Sequence, residues 1–127
     1  MDLFYQSKDI QKILNSSNSE DIQWINEAVF GFQIITNSCN LISEGGHILE
    51  VGCGSGILLK LLSSKYKNLF FEGIEPLKKE FIKLKELNKL IKSSGINIKN
   101  KSYEDFKPSK SYDLIFCINV FEHVRDW

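Results

Sequence analysis

A doubly wound α/β fold, with a mostly parallel sheet and helices on both faces, is predicted by two observations. The run His47–Val51 is a short apolar strand leading into glycines at 52, 54 and 56, after which Ile57, Leu58, Leu59, Leu61 and Leu62 open a helix. Further along, strand-like and helix-like patterns alternate and end in residues 112–118, a run apolar on both faces, as suits a strand between the helix layers of a parallel sheet. With right-handed crossovers, that order makes half of a doubly wound sheet.

The elements follow in turn. The first 20 residues are polar and weakly patterned, and Ser16-Ser17-Asn18-Ser19 makes a break with Ser19 as an N-cap before Glu20 and Asp21. From there to about Ile42, Ile22, Ile25, Val29 and Phe32 recur at helical spacing, with Trp24, Phe30 and Ile35 widening the stripe. Gly31 divides this stretch into two helices on a reading from backbone propensity. Gly45-Gly46 end the helical region, and the helix after the later glycines runs to about Ser64. Residues 68–74 form a second strand, and Pro76 stands in the first turn of the next helix. Leu77, Phe81, Leu84, Leu87 and Ile91 line one face of that helix. Lysines cover the rest, interspersed with Glu80 and Glu86, as on a solvated amphipathic helix. Residues 96–101 alternate as a half-exposed third strand, a polar loop passes Pro108, and Asn119 opens a last helix. Residues 1–44 are thus an amino-terminal helical segment, and 45–127 a partial ligand-binding domain.

Composition narrows the function. In 127 residues, 43% hydrophobic and 12% aromatic, there is one domain's worth of chain or less, with enough apolar matter for a core. Sixteen basic side chains balance sixteen acidic ones, so no strong nucleic-acid signal arises. Three cysteines, Cys39, Cys53 and Cys117, have neither metal-ligand spacing nor the even number of a disulfide framework. Reduced thiols, no signal-peptide core and no membrane-length apolar run point to a cytoplasmic protein with no resident metal.

The glycine turn carries the chemistry. Three glycines between a strand and a helix start make a tight bend, with backbone N–H groups and the positive helix end toward a ligand. A dinucleotide fingerprint would require a third glycine at position 57, where isoleucine stands. The pattern is Glu50-x-Gly52-x-Gly54-x-Gly56, which resembles the first motif of the class I S-adenosylmethionine-dependent methyltransferases, a Rossmann-like family. That resemblance implies S-adenosylmethionine as cofactor, with Glu50, Gly52, Cys53, Gly54 and Gly56 at its methionine end. S-adenosylmethionine carries a cationic sulfonium and an ammonium instead of a diphosphate, so an acid at position 50 suits it. An ordinary strand–helix turn without a ligand is the other way to read the glycines.

Glu75 lies 19 residues beyond Gly56, at the carboxyl end of the second strand. An acid there accepts from ribose hydroxyls in nucleoside-binding doubly wound folds, and the resembling family uses it so. The same resemblance puts Tyr103, Glu104 and Asp105 beside adenine, although Ser102-Tyr103 replaces the family's frequent Asp-Ala pair. Which of the two acids turns inward stays open. The run from Tyr112 to Val124 resembles the family's fourth-strand motif, where Cys117, Ile118 and Asn119 would border the methionine and methyl group. His123, within Glu122-His123-Val124, is read as anchoring a helix and not as a base. No catalytic residue is assigned, because methyl transfer mostly requires alignment of nucleophile, carbon and sulfur.

The resemblance spans residues 45–125 and implies transfer of a methyl group to a small-molecule acceptor. It also implies about three strands beyond the fourth, so residues 114–118 are expected to form an exposed apolar edge, covered by missing chain or by a partner. A nicotinamide-dependent oxidoreductase, disfavoured by Ile57, and a cofactor-binding module without turnover are the competing functions.

Overall fold

The structure, a computed structural model, describes residues 19–78 and 96–118. Helix α1 (Ser19–Cys39) is followed by β1 (His47–Val51), α2 (Ile57–Lys65), β2 (Phe70–Ile74), β3 (Asn97–Lys99) and β4 (Leu114–Phe116). The four strands are parallel in the order β3-β2-β1-β4. From β1 the chain steps outward to β2 and β3, then returns to the far side of β1 as β4. That reversal opens a crevice beyond the carboxyl ends of β1 and β4, the usual ligand position in such sheets.

Strand register explains the core. Ile48 of β1 pairs with Phe71 and Leu114, while Glu50 pairs with Gly73 and Phe116. Ile48, Phe71 and Phe116 join Leu58, Leu59 and Leu62 of α2 and Ile25, Ile35 and Cys39 of α1 in one buried cluster. Helix α2 is buried along residues 57–63, as expected of a helix apolar on nearly every side. Both described helices pack on this face. The expected helix after Pro76, beyond Lys78, lies outside the described residues, as do Asn119 and Glu122-His123-Val124.

Two expectations need correction. Helix α1 runs unbroken through Gly31 and ends at Cys39, short of Ile42. A Cβ at Gly31 would stand 2.8 Å from both Leu58 Cδ2 and Ile118 Cδ1, so this glycine permits close helix packing and ends nothing. The fourth strand is shorter than residues 112–118, and it is not buried on both faces. Ile115 is 59% exposed, in line with the exposed apolar edge expected at residues 114–118, because β4 ends the sheet and both described helices lie behind it. Asp113, ahead of β4, is instead a clasp: its carboxylate accepts from the His47 amide and its own N–H donates to the His47 carbonyl, both at 2.8 Å. Tyr112 likewise donates its hydroxyl to the Glu72 carboxylate on β2.

Among the described residues, no helix is long and apolar enough to cross a membrane. Packing is close at Gly73, at the middle of the sheet, where a Cβ would lie 2.6 Å from Cys53 Sγ and 2.7 Å from Leu59 Cδ1. Gly73→Ala is therefore expected to destabilise the protein by about 1–3 kcal/mol. An unshifted urea midpoint in that variant would refute the packing described here.

Candidate functional site

The three glycines of the turn all have left-handed backbone angles, with φ of 72° at Gly52, 53° at Gly54 and 75° at Gly56. A residue with a Cβ is strained at each. The Gly52 and Cys53 amides both donate to the Ile74 carbonyl, at 2.8 and 3.0 Å. Gly56 donates to the Cys53 carbonyl at 2.8 Å, and Gly54 to Glu75 Oε2 at 2.8 Å. All four amides are therefore used within the protein. For these four residues this corrects the expectation that the turn's N–H groups face a ligand: the end of β2 takes three of them with a carbonyl and a carboxylate, and the Cys53 carbonyl takes the fourth. A diphosphate cradle requires such amides to be free.

Two carboxylates flank the turn. Glu50 is 4% exposed and Glu75 5%. Glu75 is held at both oxygens, accepting from Gly54 on one and from the Leu77 amide, at 2.9 Å, on the other. Glu50 differs: its Oε2 is buried and has no partner. Burial, and next the charge of Glu75, push its pKa from an ordinary 4.5 up to about 8. Neither influence comes from a cation. The same crowding raises two thiols, Cys53 through burial and then Glu50 and Glu75, and Cys117 through burial and then Glu50. A buried acid with an unmet oxygen is costly, and a donor or cation brought by a ligand would meet it.

The carboxyl ends of the strands carry the other candidates in spatial order: the 102–105 loop after β3, Glu75 after β2, the glycine turn after β1, and Ile118 after β4. Glu50, Glu75 and the glycines come together, whereas the rest are more dispersed. The Cys53 thiol packs against Gly73, and its amide is on Ile74. Tyr103 is 66% exposed and Glu104 is exposed. Asp105 is bound to Ser102, whose hydroxyl donates to its carboxylate at 2.9 Å and accepts from its amide at 3.2 Å. Ile118 is half-buried near Gly31 of α1. Of the aromatics in α1, Phe30 is 59% exposed and Phe32 packs partly against the core. Among the described residues, no group of three His, Cys, Asp or Glu side chains could hold a metal ion.

One residue of the site has no motif to announce it. Asn100, just beyond β3, donates from Nδ2 to the Glu75 carbonyl at 2.7 Å and to the Pro76 carbonyl at 3.2 Å. A polar residue ending the third strand opposite Glu75 was the available signal.

A family described as "Methyltransferase domain" matches residues 32–127. The chain is 26% identical to an (S)-coclaurine N-methyltransferase of Thalictrum flavum subsp. glaucum, over 94% of this chain and 35% of that protein. It is 34% identical to malonyl-[acyl-carrier protein] O-methyltransferase 1 of Ilyobacter polytropus, over 63% of this chain and 29% of that one. It spans about a third or less of the length of the first curated relatives it matches. Among solved structures, coclaurine N-methyltransferase bound to N-methylheliamine and SAH superposes with a TM-score of 0.63 at 22% identity, over 76% of this chain and 28% of that one.

The Glu50 environment sets a pH dependence. Its folded pKa of about 8 lies above the ordinary 4.5, so the folded state holds more protons between those values. Stability of the ligand-free protein from this group is full below about pH 4.5 and declines as pH rises toward 8. Urea midpoints measured across that window are expected to fall with pH in the wild type. Glu50→Gln should remove this component, and an identical slope in the variant would disprove the burial assigned to Glu50.

Proposed function

The chain belongs to the methyltransferase-domain family, and we propose that it forms the S-adenosylmethionine-binding part of an enzyme that methylates a small-molecule acceptor. One observation carries this: two buried carboxylates flank a glycine turn in which the amides of Gly52, Cys53, Gly54 and Gly56 are already taken. A cationic ligand suits such a site and a diphosphate does not, which disfavours the nicotinamide-dependent alternative. Glu50, with its unmet oxygen, faces the ammonium at the methionine end. Glu75 keeps lone pairs beyond its two amide donors for the ribose hydroxyls. Gly52, Cys53, Gly54 and Gly56 give the bend its room, Tyr103, Glu104 and Asp105 flank adenine, and Ile118 and Asn119 border the methyl end. The order of these groups along the sheet's carboxyl edge matches a long nucleoside joined to an amino acid.

When bound, the cofactor supplies a methyl group already activated on a sulfonium. The chain's residues bind and orient it, and no acid–base group is assigned. The SAH in the coclaurine N-methyltransferase structure supports the cofactor, and the named N- and O-methyltransferases support acceptors outside nucleic acid. Their greater length and the exposed Ile115 support reading this chain as one part of a larger enzyme, with further chain or a partner covering β4. The free thiols of Cys39, Cys53 and Cys117 are in keeping with a cytoplasmic location.

Calorimetry on the chain tests the proposal. S-adenosylhomocysteine is expected to bind and NAD is not; the reverse outcome would sink the reading. Glu75→Ala and Gly54→Val should each weaken binding about tenfold or more. Because a bound ammonium requires Glu50 to be ionised, affinity should rise with pH up to about 8 in the wild type, and Glu50→Gln should flatten the rise.

A further inference from the structure

We propose that Asn100 is a positioning residue that fixes Glu75 for ribose binding and couples that acid to the loop after β3. The proposal rests on the cofactor reading above. Two consecutive residues at the end of β3 grip the backbone on both sides of Glu75. The Glu75 amide donates to the Lys99 carbonyl at 3.0 Å, while the Asn100 side chain holds the Glu75 carbonyl at 2.7 Å and the Pro76 carbonyl at 3.2 Å. The backbone of Glu75 is thereby fixed on both sides. Its carboxylate is then left in place to accept from Gly54 and Leu77, at 2.8 and 2.9 Å. Two carbonyl acceptors require a donor at position 100, which an amide has and a carboxylate lacks. Asn100 also stands two residues ahead of Ser102, where the bonded Ser102–Asp105 turn begins, so it ties that turn to the strand end that carries Glu75.

Asn100 touches no ligand in this scheme; it acts through Glu75. Asn100→Ala is expected to weaken S-adenosylhomocysteine binding about threefold to tenfold. Asn100→Asp, which keeps the shape and loses the donor, should be at least as damaging, whereas Asn100→Gln should retain more of the affinity. In a Glu75→Gln background the cost of Asn100→Ala should shrink below about twofold, since the two residues act in series. The Gly54 amide proton gives a readout in ligand-free protein. Its hydrogen bond to a carboxylate sets its NMR shift, and Asn100→Ala should move it, while circular dichroism shows the fold retained.

An unmoved Gly54 resonance overturns the coupling. So does an equal cost of Asn100→Ala with and without Glu75. Failure of the wild-type chain to bind S-adenosylhomocysteine overturns the cofactor reading instead, and the Gly54 resonance still decides the role of Asn100.

Discussion

The bond between the Gly54 amide and the Glu75 carboxylate joins the exits of two neighbouring strands, and the geometry of the site depends on it. Beside it, the Ile74 carbonyl takes the amides of Gly52 and Cys53. The bend after β1 is thus shaped by the end of β2. Left-handed angles at three glycines make such a bend possible, and the β2 groups select one form of it. A carboxylate that already accepts from two backbone amides is oriented before any ligand arrives, which is what preorganised binding requires.

Glu50 shows the opposing cost. Burying a second acid beside Glu75 with one oxygen unmet works against the free fold, and nothing in the core requires a carboxylate there. Sites that break the local rules of burial in this way are where function outweighs stability. The rest of the sheet follows those rules: Ile48, Phe71, Leu59 and Leu62 are almost wholly enclosed, and the polar clasps of Asp113 and Tyr112 lie at its margins.

Much of this was legible in the sequence because it is encoded locally. Strand β1, its glycines and helix α2 occupy one uninterrupted pattern, and Glu75 follows at a spacing fixed by one helix and one strand. What could not be read depends on distant partners. Gly31 looks like a helix breaker until Leu58 and Ile118 are seen against it. The exposed edge at residues 114–118 was expected only through the family resemblance; the apolar run by itself reads as a strand buried on both faces, because lateral position belongs to the sheet and not to the run. The direction of the turn's amides is settled by the Ile74 carbonyl, about twenty residues away. Asn100 belongs to no motif, since its partners are backbone carbonyls that leave no side-chain signature.

At Gly31 the bare backbone of α1 lies close to the side chains of Leu58 and Ile118, with no room left for a Cβ. A single glycine thus sets how near the amino-terminal helix lies both to the helix after the glycine turn and to the residue that leaves β4.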